Sequence, residues 1–132
     1  MRKVPSEFRR LHRFDIHMGM FDCAVRVVVG EFTLAHGYVQ WLYGDEPTID
    51  EEQGLVRGRF YSHAEMVPVV WIPRAPKTPR EHATVAHEAL HAAVWVLRTW
   101  ASMPFSDDTE EAFAHALGHL VNGITEGAKK CR

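Results

Sequence analysis

The chain has 132 residues, of which 46% are apolar and 24% are charged, and its formal net charge is −2. This length and composition predict one folded domain and exclude a disordered, collagen-like or coiled-coil protein. A net charge close to zero also argues against non-specific binding of polyanions as the main function. The unusual feature of the composition is its nine histidines.

The cysteine content and the chain start bear on location and partners. Cys23 and Cys131 are too few for a disulfide framework, so we expect reduced thiols in a cytoplasmic protein. No apolar run has the length of a membrane span, so no membrane partner is expected. Residues 1–20 open with basic residues and are predicted to form an N-terminal arm or a short helix, with a solvated chain end preferred. This arm is the one feature that points towards nucleic acid, which is not the favoured partner.

The chain from residue 21 onwards is predicted to begin with strands. Residues 23–29 alternate, with three valines on one face, as in a strand. Residues 32–43 fit either a helix or two strands that turn at His36-Gly37. Residues 44–52 contain a Gly-Asp-Glu-Pro turn and three consecutive acids, and are predicted to form an exposed loop.

Two further strands are predicted over residues 55–61 and 66–72. The first alternates arginines with apolar residues, as a half-exposed strand does. The second is bracketed by Pro68 and Pro73. Because proline cannot donate a hydrogen bond to a central ladder, we expect this second strand at the edge of the sheet. An open edge can align an extended peptide by backbone pairing.

Two helices are predicted after the strands. The first starts at the Thr-Pro-Arg-Glu motif of residues 78–81, which has an N-cap threonine, a proline at the first helical position and a glutamate that completes a capping box. It extends to about residue 100 and carries apolar residues on nearly every face, so we expect it in the core. The second is predicted over residues 108–121, ending near Gly123 because glycine commonly terminates helices. The fold class is therefore α+β.

The first helix contains an HExxH motif, His87-Glu88-Ala89-Leu90-His91. Residues four apart lie on one face of a helix, so both imidazoles can reach one metal ion, while Glu88 lies about 100° around the helix. A catalytic zinc has three protein ligands and a fourth position for water, from which Glu88 is predicted to accept a proton. Burying these three side chains in an apolar helix without a metal would be costly, which favours a zinc site.

A third ligand is expected from the second helix. Glu111, His115 and His119 are spaced by four residues and form one stripe, and Glu110 precedes them. Eighteen residues separate His91 from Glu110, and nineteen separate it from Glu111. The spacing alone leaves both glutamates open as ligands.

HExxH followed by a downstream glutamate resembles the gluzincin metallopeptidases. Residues 109–115, Thr-Glu-Glu-Ala-Phe-Ala-His, are similar to the Glu-Gly-Phe-Ala pattern around the glutamate ligand of zinc aminopeptidases, and to small phage-encoded and ImmA/IrrE-like metallopeptidases. The resemblance implies a minimal zincin-like domain over residues 21–132, with a small, mostly antiparallel sheet packed on the HExxH helix. It implies Zn²⁺ held by His87, His91 and Glu111, although aminopeptidase spacing selects Glu110.

The implied function is a zinc-dependent peptidase with a narrow intracellular range of protein or peptide substrates and a phage or prophage origin. Larger gluzincins carry a group that stabilises the transition state in a C-terminal subdomain. Tyr61, His63 and His119 are the candidates here, although a packing or surface role is preferred for each because no spacing fixes its direction. The alternative is a non-catalytic, zincin-like binding module with a structural zinc, which acts through contacts with protein or nucleic acid. A fourth ligand from His115 or His119 would favour that alternative, because structural zinc sites are closed by four protein ligands.

Overall fold

The structure is a computed structural model that describes residues 2–45 and 57–130. Most of the predicted acidic loop, the start of the strand predicted over residues 55–61, and Cys131 lie outside the described residues. The fold is α+β, as predicted. Its strands are β1 (His12–His17), β2 (Ala24–Val29), β3 (Arg59–Tyr61) and β4 (Val69–Ile72), and its helices are α1 (Phe32–Leu42), α2 (Pro79–Val94) and α3 (Glu110–Lys129), with a π-helical turn (Trp95–Trp100) after α2.

The four strands form one sheet in the order β1-β2-β4-β3. β2 and β4 are parallel, and the two outer pairs are antiparallel. β4 is therefore a central strand, and the prediction of an edge position for residues 66–72 is wrong. Pro68 and Pro73 flank β4 without interrupting it, so its ladder loses no donor. On that side of the sheet, the edge strand is β3, which pairs with β4.

Both faces of the sheet are covered, and the alternation predicted for β2 is confirmed. Val25, Val27 and Val29 pack in a core with α2 and α3. Val28 points the other way and packs with Phe32 and other residues of α1. Residues 32–43 thus adopt the helical alternative. The side chain of Glu31 caps that helix by accepting hydrogen bonds from two backbone amides of its first turn.

β1 lies within the segment that was predicted to be an N-terminal arm. It pairs with β2 along its whole length, and Ile16 is buried in the core. Asp15 and Arg26 face each other across the two strands and form a bidentate ion pair with N–O distances of 2.8 and 3.1 Å. The prediction of an arm over residues 1–20 is therefore wrong for residues 12–17, where the charged residues of this region hid the strand alternation.

α3 continues to Lys129 and does not end near Gly123 as predicted. A Cβ atom at Gly123 would lie 2.8 Å from the Cδ1 atom of Ile16, and one at Gly127 would overlap the ring of Phe14. These glycines allow α3 to approach β1 closely, and they do not terminate the helix. Within residues 2–45 and 57–130, no helix combines the length and apolar character needed to cross a membrane.

Candidate metal centre

The predicted capping box begins α2 and fixes the start of the helix that carries HExxH. The Thr78 hydroxyl accepts a hydrogen bond from the Glu81 amide, and the Glu81 carboxylate accepts one from the Thr78 amide, each at 3.1 Å. The same carboxylate accepts a hydrogen bond from Nε of Arg74 at 2.6 Å. Arg74 and the backbone amides lower the pKa of Glu81 to about 2, so this acid stays ionised at neutral pH.

The two histidines of the motif converge on one point beside α2. Their Nε2 atoms, on His87 and His91, are 3.3 Å apart. Two imidazole nitrogens bound to a tetrahedral zinc at about 2.0–2.1 Å are separated by about 3.3–3.4 Å. The pair therefore fits two ligands of one zinc ion.

One face of α2 packs in the core as predicted, but the imidazoles lie on its open face, and the expectation that both histidines are buried is wrong. The His87 side chain is 68% exposed, and Leu90 is half-exposed on the same helix. Because the imidazoles are exposed, the cost of burying them is no argument for a metal ion here. Their convergence carries that argument.

The cost of burial does apply to Glu88. Its exposed fraction is 7%, and no other charged residue in the described part of the chain is buried. Burial raises the pKa of this carboxyl, against the opposing charges of His87, His91 and Arg59. The Oε1 atom of Glu88 lies 3.9 Å from Nε2 of His87. A buried carboxyl group with a raised pKa thus lies next to the histidine pair.

Gly58, immediately before β3, brings the chain close to α2 at this point. A Cβ atom at Gly58 would lie 2.6 Å from Cγ2 of Thr84 and 3.3 Å from Cγ of Glu88. The absence of a side chain therefore allows β3 to lie against the buried carboxyl. No local pattern in the sequence distinguishes this glycine from the others.

A cleft of about 800 Å³ opens between β3 and the HExxH face of α2. The Phe60 ring stacks on the His91 ring with their centroids 6.1 Å apart. The cleft is also lined by Arg57, Arg59 and Arg80, which the sequence analysis did not assign to the site. The signal for Arg57 and Arg59 is the arginine alternation of residues 55–61, which is interpreted above as a half-exposed strand. The signal for Arg80 is its position two turns before the motif on the same helix.

The structure brings neither Glu110 nor Glu111 into a metal-binding group with the histidine pair. The Glu111 side chain is 84% exposed, and its Oε1 atom lies 3.2 Å from Nε2 of His115. Across residues 2–45 and 57–130, no three His, Cys, Asp or Glu side chains form a group that could hold a metal ion. The described site therefore contains two candidate ligands and the buried Glu88.

The orientation of α3 distinguishes the two candidate glutamates. Ala112 and Ala116 line a groove beside the end of β1, on the same flank as the two glycines that contact β1. Glu110 lies two turns before the half-buried Leu117 on the same side of the helix, which is the flank opposite the one that faces β1. Glu111 lies about 100° further round the helix and faces away from the core. α3 contacts both β1 and α2, so we infer that the Glu110 flank is the one towards α2.

The three candidates for a group that stabilises the transition state lie outside the cleft. The Tyr61 hydroxyl lies 3.1 Å from Nδ1 of His36, on the α1 side of the sheet. The His63 ring stacks on Tyr43. Nε2 of His119 donates a hydrogen bond to a backbone carbonyl at the end of β1, at 2.8 Å. These contacts agree with the preferred packing or surface roles and do not support a role in the transition state.

Comparisons with protein families, with curated proteins and with solved structures gave no match for this chain. The convergence of the histidine pair and the burial of Glu88 therefore carry the functional argument.

Proposed function

We propose that the protein is a zinc-dependent peptidase in which His87, His91 and a glutamate from the first turn of α3 hold Zn²⁺. The observation that carries the proposal is the separation of 3.3 Å between the two Nε2 atoms. The orientation of α3 favours Glu110 as the third ligand over Glu111, the ligand implied by the resemblance. Glu110 also has the spacing of the zinc aminopeptidases.

Glu88 is the general base of this proposal. When bound, zinc lowers the pKa of a water molecule to about 7 and polarises a peptide carbonyl. Glu88 accepts a proton from a water molecule in the cleft and delivers it to the leaving amine. Its burial supports this role, because a raised pKa brings a carboxyl closer to the pH at which it both accepts and donates a proton efficiently.

β3 takes the substrate-aligning role that the sequence analysis gave to residues 66–72. It forms the edge of the sheet as far as the described residues extend, and it lines the cleft. A peptide paired with β3 in an extended conformation would run along α2, past the histidine pair. A protein or peptide substrate and a cytoplasmic location belong to the same proposal.

The alternative of a binding module with a structural zinc has less support. Such a site needs four protein ligands, and His115 and His119 make contacts elsewhere. Part of the arm on which that alternative relied is β1.

Elemental analysis of untagged protein that has never been exposed to a chelator tests the proposal. We expect about one zinc per chain, as for a mononuclear site. His87→Ala and His91→Ala should each abolish zinc retention. His82→Ala is the matched control, because His82 is exposed on the same helix and does not line the cleft. Wild-type protein free of any transition metal would overturn the proposal.

A further inference from the structure

The cleft beside the histidine pair is strongly basic. Among the described residues, three arginines line it, against a single carboxylate, Glu88. Two of them, Arg57 and Arg80, also line an adjoining pocket of about 350 Å³ at the start of α2. These two arginines therefore stand where the main cleft meets the smaller pocket.

The arginines around the smaller pocket differ in their partners. Arg74 is bound by Glu81, which neutralises its charge. Arg57 and Arg80 are exposed and form no ion pair or side-chain hydrogen bond with another described residue. The charges of these two guanidinium groups are therefore available to a ligand that enters the cleft.

We propose that the cleft selects peptides with a carboxylate close to the bond that is cut, and that Arg57 and Arg80 hold this carboxylate. Arginine is suited to the task because its planar guanidinium binds a carboxylate through two parallel hydrogen bonds. The carboxylate belongs to an Asp or Glu side chain or to the C-terminus of the substrate. This inference rests on the proposed peptidase function and adds its substrate class.

The distance along α2 limits where the carboxylate lies in the substrate. Arg80 precedes His87 by seven residues, which is about 10 Å along a helix axis. An extended peptide covers that length with about three residues, at ~3.3 Å per residue. The selected carboxylate therefore lies within about three residues of the cleaved bond.

Hydrolysis of matched peptides by the zinc-loaded wild type tests the selection. The peptides carry Glu, Gln or Lys at each position within three residues of the cleaved bond. Each is made with a free and an amidated C-terminus, which separates the two sources of carboxylate. We expect kcat/KM to be roughly 10- to 100-fold higher for the carboxylate-bearing peptides, the usual range for hydrogen bonds to a charged group. Equal rates for Glu, Gln and Lys, with no effect of amidation, would overturn the inference.

Substitutions assign the selection to the two arginines. Arg57→Gln and Arg80→Gln should each bring the ratio of kcat/KM for Glu peptides to kcat/KM for Gln peptides closer to one. Arg80→Glu should shift the preference towards Lys peptides. Arg98→Gln is the matched control, because Arg98 is an exposed arginine just beyond α2 that does not line the cleft. An unchanged preference in Arg57→Gln and Arg80→Gln would contradict the assignment.

Binding of labelled peptides to Glu88→Gln, followed by fluorescence anisotropy, separates this inference from the peptidase function because it needs no turnover. Tighter binding of carboxylate-bearing peptides without hydrolysis by the wild type would support the carboxylate site and overturn the peptidase. Hydrolysis without a preference would overturn the carboxylate site alone, and a loss of both would overturn both proposals. Tighter binding of a labelled single-stranded oligonucleotide than of any peptide would also overturn the carboxylate site.

Discussion

At the scale of single residues, neighbouring side chains of one motif have opposite environments. His87 and Glu88 are adjacent in the chain, yet the imidazole is exposed and the carboxyl is buried. An exposed imidazole suits a metal ligand that faces an open cleft, and a buried carboxyl with a raised pKa suits a general base.

Glu88→Gln is the residue-scale test of the mechanism. The amide keeps the shape of the side chain but cannot accept the proton, so zinc content and circular dichroism should match the wild type. Peptide hydrolysis should fall by about 10²–10⁴-fold, the usual contribution of a general base. Glu65→Gln, at an exposed glutamate outside the cleft, is the control for loss of a negative charge. A fully active Glu88→Gln protein would contradict the mechanism even if zinc is bound.

A second residue-scale prediction concerns the third ligand. Glu110→Gln should weaken zinc retention by more than the roughly 10–100-fold that loss of an outer hydrogen-bond partner costs. Glu111→Gln should have a much smaller effect, because Glu111 contacts His115 on the face of α3 away from the core. Competition with a chelator measures both affinities, and each variant is the control for the other. The reverse order would return the ligand role to Glu111.

At the scale of elements, glycines in α3 have different functions that the sequence does not distinguish. Gly123 lies against the buried Ile16, whereas a Cβ atom at Gly118 would meet nothing within 4 Å. Both occupy the interior of the same helix. The difference arises from the packing of α3 on β1, which no local pattern reveals.

Alanine at these two glycines tests that packing. Gly123→Ala should destabilise the protein by about 1–3 kcal/mol, the usual cost of overpacking. Gly118→Ala should stabilise it by up to about 1 kcal/mol, because alanine is the better helix former. Urea denaturation measures both free energies of unfolding. A stabilising Gly123→Ala would show that α3 does not approach β1 closely.

The elements that could be predicted are those with a strong local signal. The capping box at Thr78 sets the start of α2, and the valine alternation predicts β2. β1 has no such signal, because its charged residues mask a short alternation of apolar positions. β4 was assigned to the wrong position because its flanking prolines suggest an edge, while pairing with β2 and β3 depends on contacts distant in sequence.

At the scale of the whole molecule, the candidate site is a product of sheet order. β3 pairs with β4 at the edge of the sheet, and this pairing brings residues 57–60 against α2. The HExxH motif could be recognised in the sequence because its spacing is local. The arginines of the cleft could not, because Arg57 and Arg80 come to line one cleft only through the fold.

The central claim is that His87 and His91 hold one zinc ion with a position left open for water. X-ray absorption at the zinc edge of the wild-type protein tests this most directly, because it reports the type and number of ligand atoms. We expect two imidazole nitrogens at about 2.0–2.1 Å, with oxygen atoms in the remaining positions. A zinc bound by sulfur or by four imidazoles, or protein that retains no zinc, would contradict it.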